Sequence, residues 1–233
     1  HSKNVNGVTG SNSEALLNIK NFNSNITTEL IFWGVSFKNF NLKDLAVCRK
    51  KIGFSEETKL IGYVGRLVKE KGIDKLIKAI NKIQNCHLLL VGSGDYEGEL
   101  KKLVHTLAIE DRVHFFDNVI YQELETYYNA FNVFVLPSET ILQWKEQYGR
   151  VLVEAMTCGL PIVGSSSGAI PEVLEGYPKG LIFKEGDIED LVKKIKEAEN
   201  IMFPRNFNLD DFLYKFSVKH FVLEHIAFYK NYD

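Results

Sequence analysis

Glu146-Gln147-Tyr148-Gly149-Arg150-Val151-Leu152-Val153-Glu154-Ala155-Met156-Thr157-Cys158-Gly159-Leu160-Pro161-Ile162-Val163 is the stretch on which the reading of this chain turns. Its middle is apolar almost all round: Val151, Leu152, Val153, Ala155 and Met156 cover every face of a helix, the pattern of a buried element. Glu154 lies inside that run. A buried carboxylate without partners costs several kcal/mol, so it requires backbone amides, an Arg or Lys, or the hydroxyls of a bound ligand. Gly149 marks the helix start and leaves Glu146 on the loop before it, with free backbone N–H groups near both acids. That combination suits an anionic ligand that also carries hydroxyls.

Outward from that stretch, the chain alternates strands and helices with short turns from Lys59 on, the pattern of an α/β doubly wound parallel sheet. Strands are expected at 59–64, 87–91, 112–116, 132–136, 161–164 and 180–183. Helices are expected at 73–83, 97–107, 122–130 and 187–199, with a helical turn at 171–174. Ligands bind such sheets where loops leave the carboxyl ends of the strands. The loop after the first strand carries Gly65, Arg66, Lys71 and Gly72. Arg66 offers a planar fork of donors and Lys71 a mobile point charge, a pair suited to a diphosphate or, as the plainer alternative, a solvated basic turn. Gly92-Ser93-Gly94-Asp95, Leu136-Pro137-Ser138 and Gly164 to Gly168 line the same rim.

Before residue 59 the chain is different in kind. Val5 to Ser11 is broken by Gly7 and Gly10, Ser13 is placed to cap a helix over 14–20, and Leu30-Ile31-Phe32-Trp33 reads as a strand. Residues 39–58 read as a linker or connecting helix. The tail from Asp210 to Tyr229 is expected to be helical and aromatic enough to dock.

The 233 residues, 45% hydrophobic and 25% charged, suffice for one large or two small domains. A net charge of -2 gives nucleic acid no purchase. Cys48, Cys86 and Cys158 lack metal-ligand spacing and read as reduced thiols of a cytosolic protein. No run of about 18 apolar residues marks a membrane span. His87, His105 and His114 have no partner acids in motif spacing and read as core or surface residues. Trp144 is either a loop anchor or part of the pocket lining. The chain begins on His1, which points to a fragment.

On Gly65-Arg66 with Lys71-Gly72, Val91-Gly92-Ser93-Gly94, Leu136-Pro137-Ser138 and above all Glu146, seven residues, then Glu154-Ala155-Met156 with Gly159 and Pro161-Ile162-Val163, residues 59–200 resemble the C-terminal, nucleotide-sugar-binding domain of retaining GT-B glycosyltransferases of family four (group 1). Gly34-Val35-Ser36 to Phe40 resembles the end of that family's N-terminal domain. The resemblance implies a Rossmann-like donor domain at 59–205, a remnant of an N-terminal acceptor domain at 1–40, a linker at 41–58 and a C-terminal helix at 206–233. It implies transfer of a sugar from a UDP-, GDP- or ADP-sugar to an acceptor hydroxyl with retention, without a metal or further cofactor. Arg66, Lys71 and Glu146 take the catalytic roles, the first two neutralising the diphosphate and Glu146 holding hydroxyls of the sugar. Gly65, Asn118, Val119, Gly149, Arg150, Val151 and Glu154 complete the donor site. Asn118 and Val119 sit by the base, although Asp117 departs from the family's usual glycine. Gly149 and Arg150 offer amides to the distal phosphate, and Glu154 binds the ribose. The Gly164 to Gly168 turn and Glu172 match the family's sugar pocket loosely.

The partners implied are the donor and an acceptor sugar, lipid or metabolite bound by an N-terminal domain, with no nucleic acid. The implied location is the cytoplasm or the inner membrane face. With the acceptor half missing, the chain is expected to transfer poorly alone. A non-catalytic nucleotide-sugar-binding subunit and a nucleotide-sugar epimerase remain as alternatives. A dinucleotide oxidoreductase is disfavoured, because Arg and Lys replace the glycine fingerprint.

Overall fold

The computed structural model describes residues 5–117, 119–204 and 206–231. A six-stranded, all-parallel sheet forms its centre, in the order β5-β4-β3-β6-β7-β8. The strands are β3 (Leu60–Val64), β4 (His87–Val91), β5 (Val113–Phe116), β6 (Val133–Leu136), β7 (Ile162–Ser165) and β8 (Gly180–Phe183). The chain leaves β3 in one direction through β4 and β5, and returns to the other side of β3 for β6, β7 and β8. The switch point therefore falls between β3 and β6, where such sheets open a crevice at their carboxyl ends.

Every residue of β3 and β6 is buried. Strands covered on both faces have no need of a polar alternation, which is why Leu60-Ile61-Gly62-Tyr63-Val64 reads as a continuous apolar run. Helix α3 (Ile73–Lys82) buries Ile73, Leu76, Ile77 and Ile80 at spacings of three and four, and packs against α4 (Glu97–Thr106) and α8 (Ile188–Ala198). Each of those side chains contributes about 1.5–3 kcal/mol by leaving water. Helix α8 starts where the Asp187 carboxylate accepts from Asp190 N at 3.0 Å.

The segment read as a linker or connecting helix contains α2 (Leu45–Lys51), which packs on α5 (Leu124–Ala130). Its Arg49 is 2% exposed and acts as a hub of carbonyls: Nε donates to Ala130 O at 3.0 Å, Nη1 to Glu56 O, and Nη2 to Asn132 Oδ1 at 2.5 Å. Asn132 Oδ1 in turn accepts from Leu60 N at 2.8 Å, tying α2 to the amino end of β3.

The two ends of the chain lie outside this sheet. A parallel pair, β1 (Gly7–Gly10) and β2 (Thr27–Leu30), flanks α1 (Ser13–Phe22). Asn12 caps that helix in place of the expected Ser13, its side chain accepting from Ala15 N at 2.9 Å. The expected strand over Leu30 to Trp33 is also corrected: β2 stops at Leu30, and Ile31 and Phe32 pack inward while Trp33 is half exposed. The tail is two helices, α9 (Leu209–Tyr214) and α10 (Val218–Lys230). The break places Phe216 in the core and lets Ser217 cap α10 by accepting from His220 N at 3.0 Å. Val35 N donates to Phe216 O at 2.8 Å, which fastens the N-terminal segment to that break. Of the histidines, His87 and His114 stack on each other with a ring-nitrogen contact of 3.0 Å, and His105 faces Glu110 at 2.6 Å.

Candidate functional site

Backbone geometry brings the loops together first. Beyond β3 and β4 the ladder continues into the loops, with Gly65 N donating to Val91 O and Leu67 N to Ser93 O, both at 2.9 Å. Gly92, at φ +134°, lies against Gly65, and a Cβ there would meet Gly65 O at 2.1 Å. Only a glycine permits this approach. Beneath it the wholly buried Tyr63 donates its hydroxyl to Arg66 O at 2.7 Å, and burial holds that phenol well above its ordinary pKa. The loop backbone is thus fixed while the Arg66 side chain is exposed and makes no ion pair among the described residues. Gly65, Arg66, Gly92, Ser93, Val119 and Leu124 line a cleft of about 300 Å³. Asn118 lies outside the described residues.

Lys71 and Glu146 meet across the switch point. Lys71 lies on a single turn, Lys69–Lys71, pressed against the loop after β6: Glu139 N donates to Glu70 O at 2.8 Å. Lys71 Nζ reaches Glu146 Oε2 at 2.5 Å, and the buried Ser138 hydroxyl donates to the same oxygen at 3.0 Å. Both bonds fall on Oε2, and Oε1 has no hydrogen-bond partner among the described residues. The Lys71 ammonium also sits 4.8 Å from the centre of the Trp144 ring. This contact gives Trp144 a place beside the cluster.

The turn after β7 holds Glu146 from the other side. Ala169 N donates to Glu146 O at 2.9 Å, and a Cβ on Gly168 (φ +52°) would meet that same carbonyl at 2.1 Å. Ser165 Oγ donates to Ser138 O at 2.5 Å, so both serines that frame Glu146 are buried and bonded.

Helix α6 (Arg150–Thr157) follows Gly149, which adopts φ +74° at the helix start. No side chain caps this end, so the first-turn N–H groups of Arg150 and Val151 are free of helix partners and carry the positive end of the helix dipole. One turn on, Glu154 is 1% exposed, and the chain itself supplies its partners. Tyr128 OH donates to Oε2 at 2.8 Å and Tyr121 OH to Oε1 at 3.3 Å, while Arg150 Nε lies 3.2 Å from Oε1. Burial pushes this carboxyl above its ordinary range, against the pull of Tyr128, Arg150 and Tyr121. The Arg150 guanidinium sits over the Tyr121 ring at 5.6 Å, so these two side chains cover the acid on its outer side.

The structure therefore gathers Gly65, Arg66 and Val119 at one cleft, Lys71 and Glu146 in one ion pair, and Gly149, Arg150, Val151 and Glu154 along one helix. It adds residues that spacing did not single out, Tyr63, Tyr121 and Tyr128, while Ser165 was visible only within the Gly164 to Gly168 turn. Ser138 was visible only as part of Leu136-Pro137-Ser138. The tyrosines meet their partners through contacts that cross elements and leave no local pattern. A roomier cleft, about 520 Å³, lies away from this rim between residues 37–42 and α9 and α10. It contains none of these groups. Among the described residues no set of three or more His, Cys, Asp or Glu is placed to hold a metal ion, and no helix is long and apolar enough to cross a membrane.

A six-stranded parallel sheet with a basic loop, paired acids and a helix N-terminus at its switch point is an α/β domain of the Rossmann-like, doubly wound kind. The model of the glycosyl transferases group 1 family matches residues 47–206, and the chain belongs to that family. It is 33% identical over 185 residues to a GDP-mannose-dependent monoacylated alpha-(1-6)-phosphatidylinositol monomannoside mannosyltransferase of Corynebacterium glutamicum, a match covering 76% of this chain and 48% of that protein. It is 34% identical over 167 residues to an N-acetyl-alpha-D-glucosaminyl L-malate synthase of Bacillus anthracis, covering 67% and 41%. A sucrose-phosphate synthase from Thermosynechococcus elongatus superposes with a TM-score of 0.82 at 26% identity, covering 98% of this chain and 59% of that one. Anabaena HepE in complex with UDP-glucose shares the fold at a TM-score of 0.79 and 21% identity, covering 97% and 64%. The chain spans about half the length of the curated relatives it matches.

Proposed function

We propose that this chain supplies the donor side of a retaining glycosyltransferase, which moves a sugar from a nucleoside-diphosphate sugar to an acceptor hydroxyl. The observation that carries the reading is the Lys71–Glu146–Ser138 cluster at the switch point of the sheet, with the exposed Arg66 on the same loop as Lys71. The name of the mannosyltransferase relative states a GDP-mannose donor, which supports a nucleotide sugar here.

In this reading the base enters the cleft between the Gly65 and Gly92 turns, next to Val119. The diphosphate lies between Arg66, Lys71 and the first turn of α6. These cations and amides stabilise the negative charge that grows on the leaving diphosphate as the glycosidic bond breaks, without a metal ion. Glu146 Oε1 accepts from hydroxyls of the transferred sugar. Glu154 accepts from the ribose once Tyr121 and Arg150 move aside, with Tyr128 keeping its second oxygen bonded. Retention follows a front-face route, in which the departing phosphate takes the acceptor's proton. The acceptor is bound by chain outside these residues, so the 233-residue chain by itself transfers poorly. A cytoplasmic site of action, or one at the inner membrane face, goes with such a donor.

Thermal unfolding of the chain against UDP, GDP and ADP and their sugars tests this. A ligand at about 100 times its Kd adds roughly 2.7 kcal/mol, and each kcal/mol raises Tm by about 2–4 °C for a chain of this size. One nucleotide series should stabilise the chain, with or without EDTA, and Arg66→Ala or Glu154→Ala should abolish the effect. No shift with any nucleotide would refute the donor site, and robust sugar transfer by this chain alone would refute the assignment of the acceptor elsewhere.

A further inference from the structure

The loop that presents Glu146 is thinly packed. Between Glu139 and Gly149 it exposes Leu142 completely and about half of Ile141, and its own turn is closed by two main-chain bonds between Ile141 and Trp144. Three of its ties run to the N-terminal segment. Asn12 Nδ2 donates to Gln147 O at 3.2 Å, Glu14 pairs with Lys145, and Tyr148 OH donates to Trp33 O at 2.7 Å. The residues immediately before and after Glu146 are thus both fastened to the start of α1, while Glu146 itself faces Lys71.

A fourth tie reaches the other element that grips Glu146. Ser13 N donates to Glu172 Oε2 at 3.0 Å, and its hydroxyl donates to Oε1. Glu172 belongs to α7 (Ile170–Leu174), which begins directly after the Gly168-Ala169 turn bonded to Glu146 O. The carboxylate lies at the N-terminus of α1, where the helix dipole favours an anion. Three consecutive residues, Asn12, Ser13 and Glu14, therefore hold both segments that fix the Glu146 backbone.

Building on the proposed role of Glu146, we propose that Asn12, Ser13 and Glu14, together with Glu172 and Lys145, form a clasp that positions Glu146 and so governs recognition of the sugar half of the donor. They are positioning residues, since none of them touches the diphosphate cluster. Each contact is exposed and adds little to global stability. Their effect adds to the ties of Thr140 to Glu185 and Ser167 and of Glu146 to Lys71, Ser138 and Ala169, on a loop whose tip is exposed and whose local order small ties can shift. Of the contacts proposed to the nucleotide, those of Arg66 and the Gly65 and Gly92 turns stand on the sheet away from the clasp, and only those of Lys71 and the start of α6 adjoin the clasped loop.

The test uses the 233-residue chain with Ser13→Ala, Glu172→Gln, Glu14→Lys, Lys145→Glu and the last two combined. Hydrogen exchange of residues 140–149 is read without ligand, and calorimetry compares a nucleoside diphosphate with its sugar. Each single variant should speed exchange in the loop and weaken the nucleotide sugar about three- to tenfold, and the nucleoside diphosphate by less. The exchanged-charge pair should recover both. Unchanged loop exchange, or equal weakening of both ligands, would overturn the clasp while the donor site stood. A wild-type chain that bound no nucleotide would remove the donor reading and the sugar role together, whatever the exchange showed.

Discussion

Replacing Tyr128 by Phe deletes one hydroxyl and leaves the ring, with its edge contacts to Phe40 and Phe131, in place. That hydroxyl donates at 2.8 Å to a carboxylate that is 1% exposed. A hydrogen bond to a charged group contributes about 1.5–3 kcal/mol, against about 0.5–1.5 for a neutral pair. At neutral pH the variant should therefore lose roughly 3–12 °C in Tm. The loss should also depend on pH in a defined direction. Burial raises the Glu154 carboxyl above its ordinary 4.5, so the folded chain binds that proton at higher pH than the unfolded chain. The group costs most above its folded pKa, and the cost is relieved as pH falls through that value towards 4.5. Removing the Tyr128 donor raises the folded pKa further, so the gap between variant and wild type should shrink on acidification to the neutral-bond remainder. Urea unfolding of both chains from about pH 7.5 to about pH 4.5 measures that gap directly, because the other carboxylates titrate alike in the two. A gap that stays constant, or widens in acid, would show that Tyr128 does not serve an ionised Glu154.

Three further outcomes are expected. Arg66→Ala should weaken a nucleoside diphosphate by about tenfold or more in calorimetry, yet leave the ligand-free Tm within about 1 °C, since the side chain is exposed and forms no ion pair among the described residues. A lost Tm with intact affinity would assign Arg66 to structure instead. Burial and the neighbouring His87 lower the pKa of His114 below 6.5, so its contribution to stability is present above pH 6.5 and lost as pH falls through the folded value. His114→Phe should flatten that part of the urea stability profile. Burial pushes the Cys158 thiol up to about 12, so iodoacetamide near pH 8 should leave it unlabelled in the native chain and label it in urea, as read by mass spectrometry.

What the sequence revealed follows a physical division. The central strands β3 and β6 and the helix α6 were legible because burial on both faces writes itself as a continuous apolar run, and Glu154 stood out as the one charge inside such a run. β2 was misplaced because Thr27-Thr28-Glu29-Leu30 pairs only with β1 and is largely exposed, so nothing in its hydropathy marks a strand. The apolar Ile31-Phe32 that attracted the assignment is instead buried at Ile31 and packed against the domain core at Phe32. The break in the tail carries no Gly or Pro; its only local mark is Ser217, which caps the second helix. At the site, Arg66, Lys71 and Glu146 were visible by type and loop position. Tyr63, Tyr121 and Tyr128 were not, since each acts through a partner on another strand or helix, or on the loop beyond its own strand.

On the proposed reading, the geometry of the site also bears on the order of donor binding. Lys71 is already neutralised by Glu146, whereas Arg66 stands exposed at the cleft, so an arriving diphosphate meets Arg66 and the first turn of α6 before it meets Lys71. An ammonium carries three donors and one here is given to Glu146 Oε2, so Lys71 can bond a phosphate oxygen without releasing the acid. On that reading, the cation that would stabilise the leaving group is the same one that orients the acid proposed to hold the sugar. As negative charge builds on the departing phosphate, Lys71 is drawn towards it, and Ser138 keeps Glu146 Oε2 bonded while that shift occurs. On the proposed reading the buried serine would thus let a single lysine serve both halves of the donor, because replacing Ser138 by an apolar residue would leave a nearly enclosed carboxylate dependent on one cation.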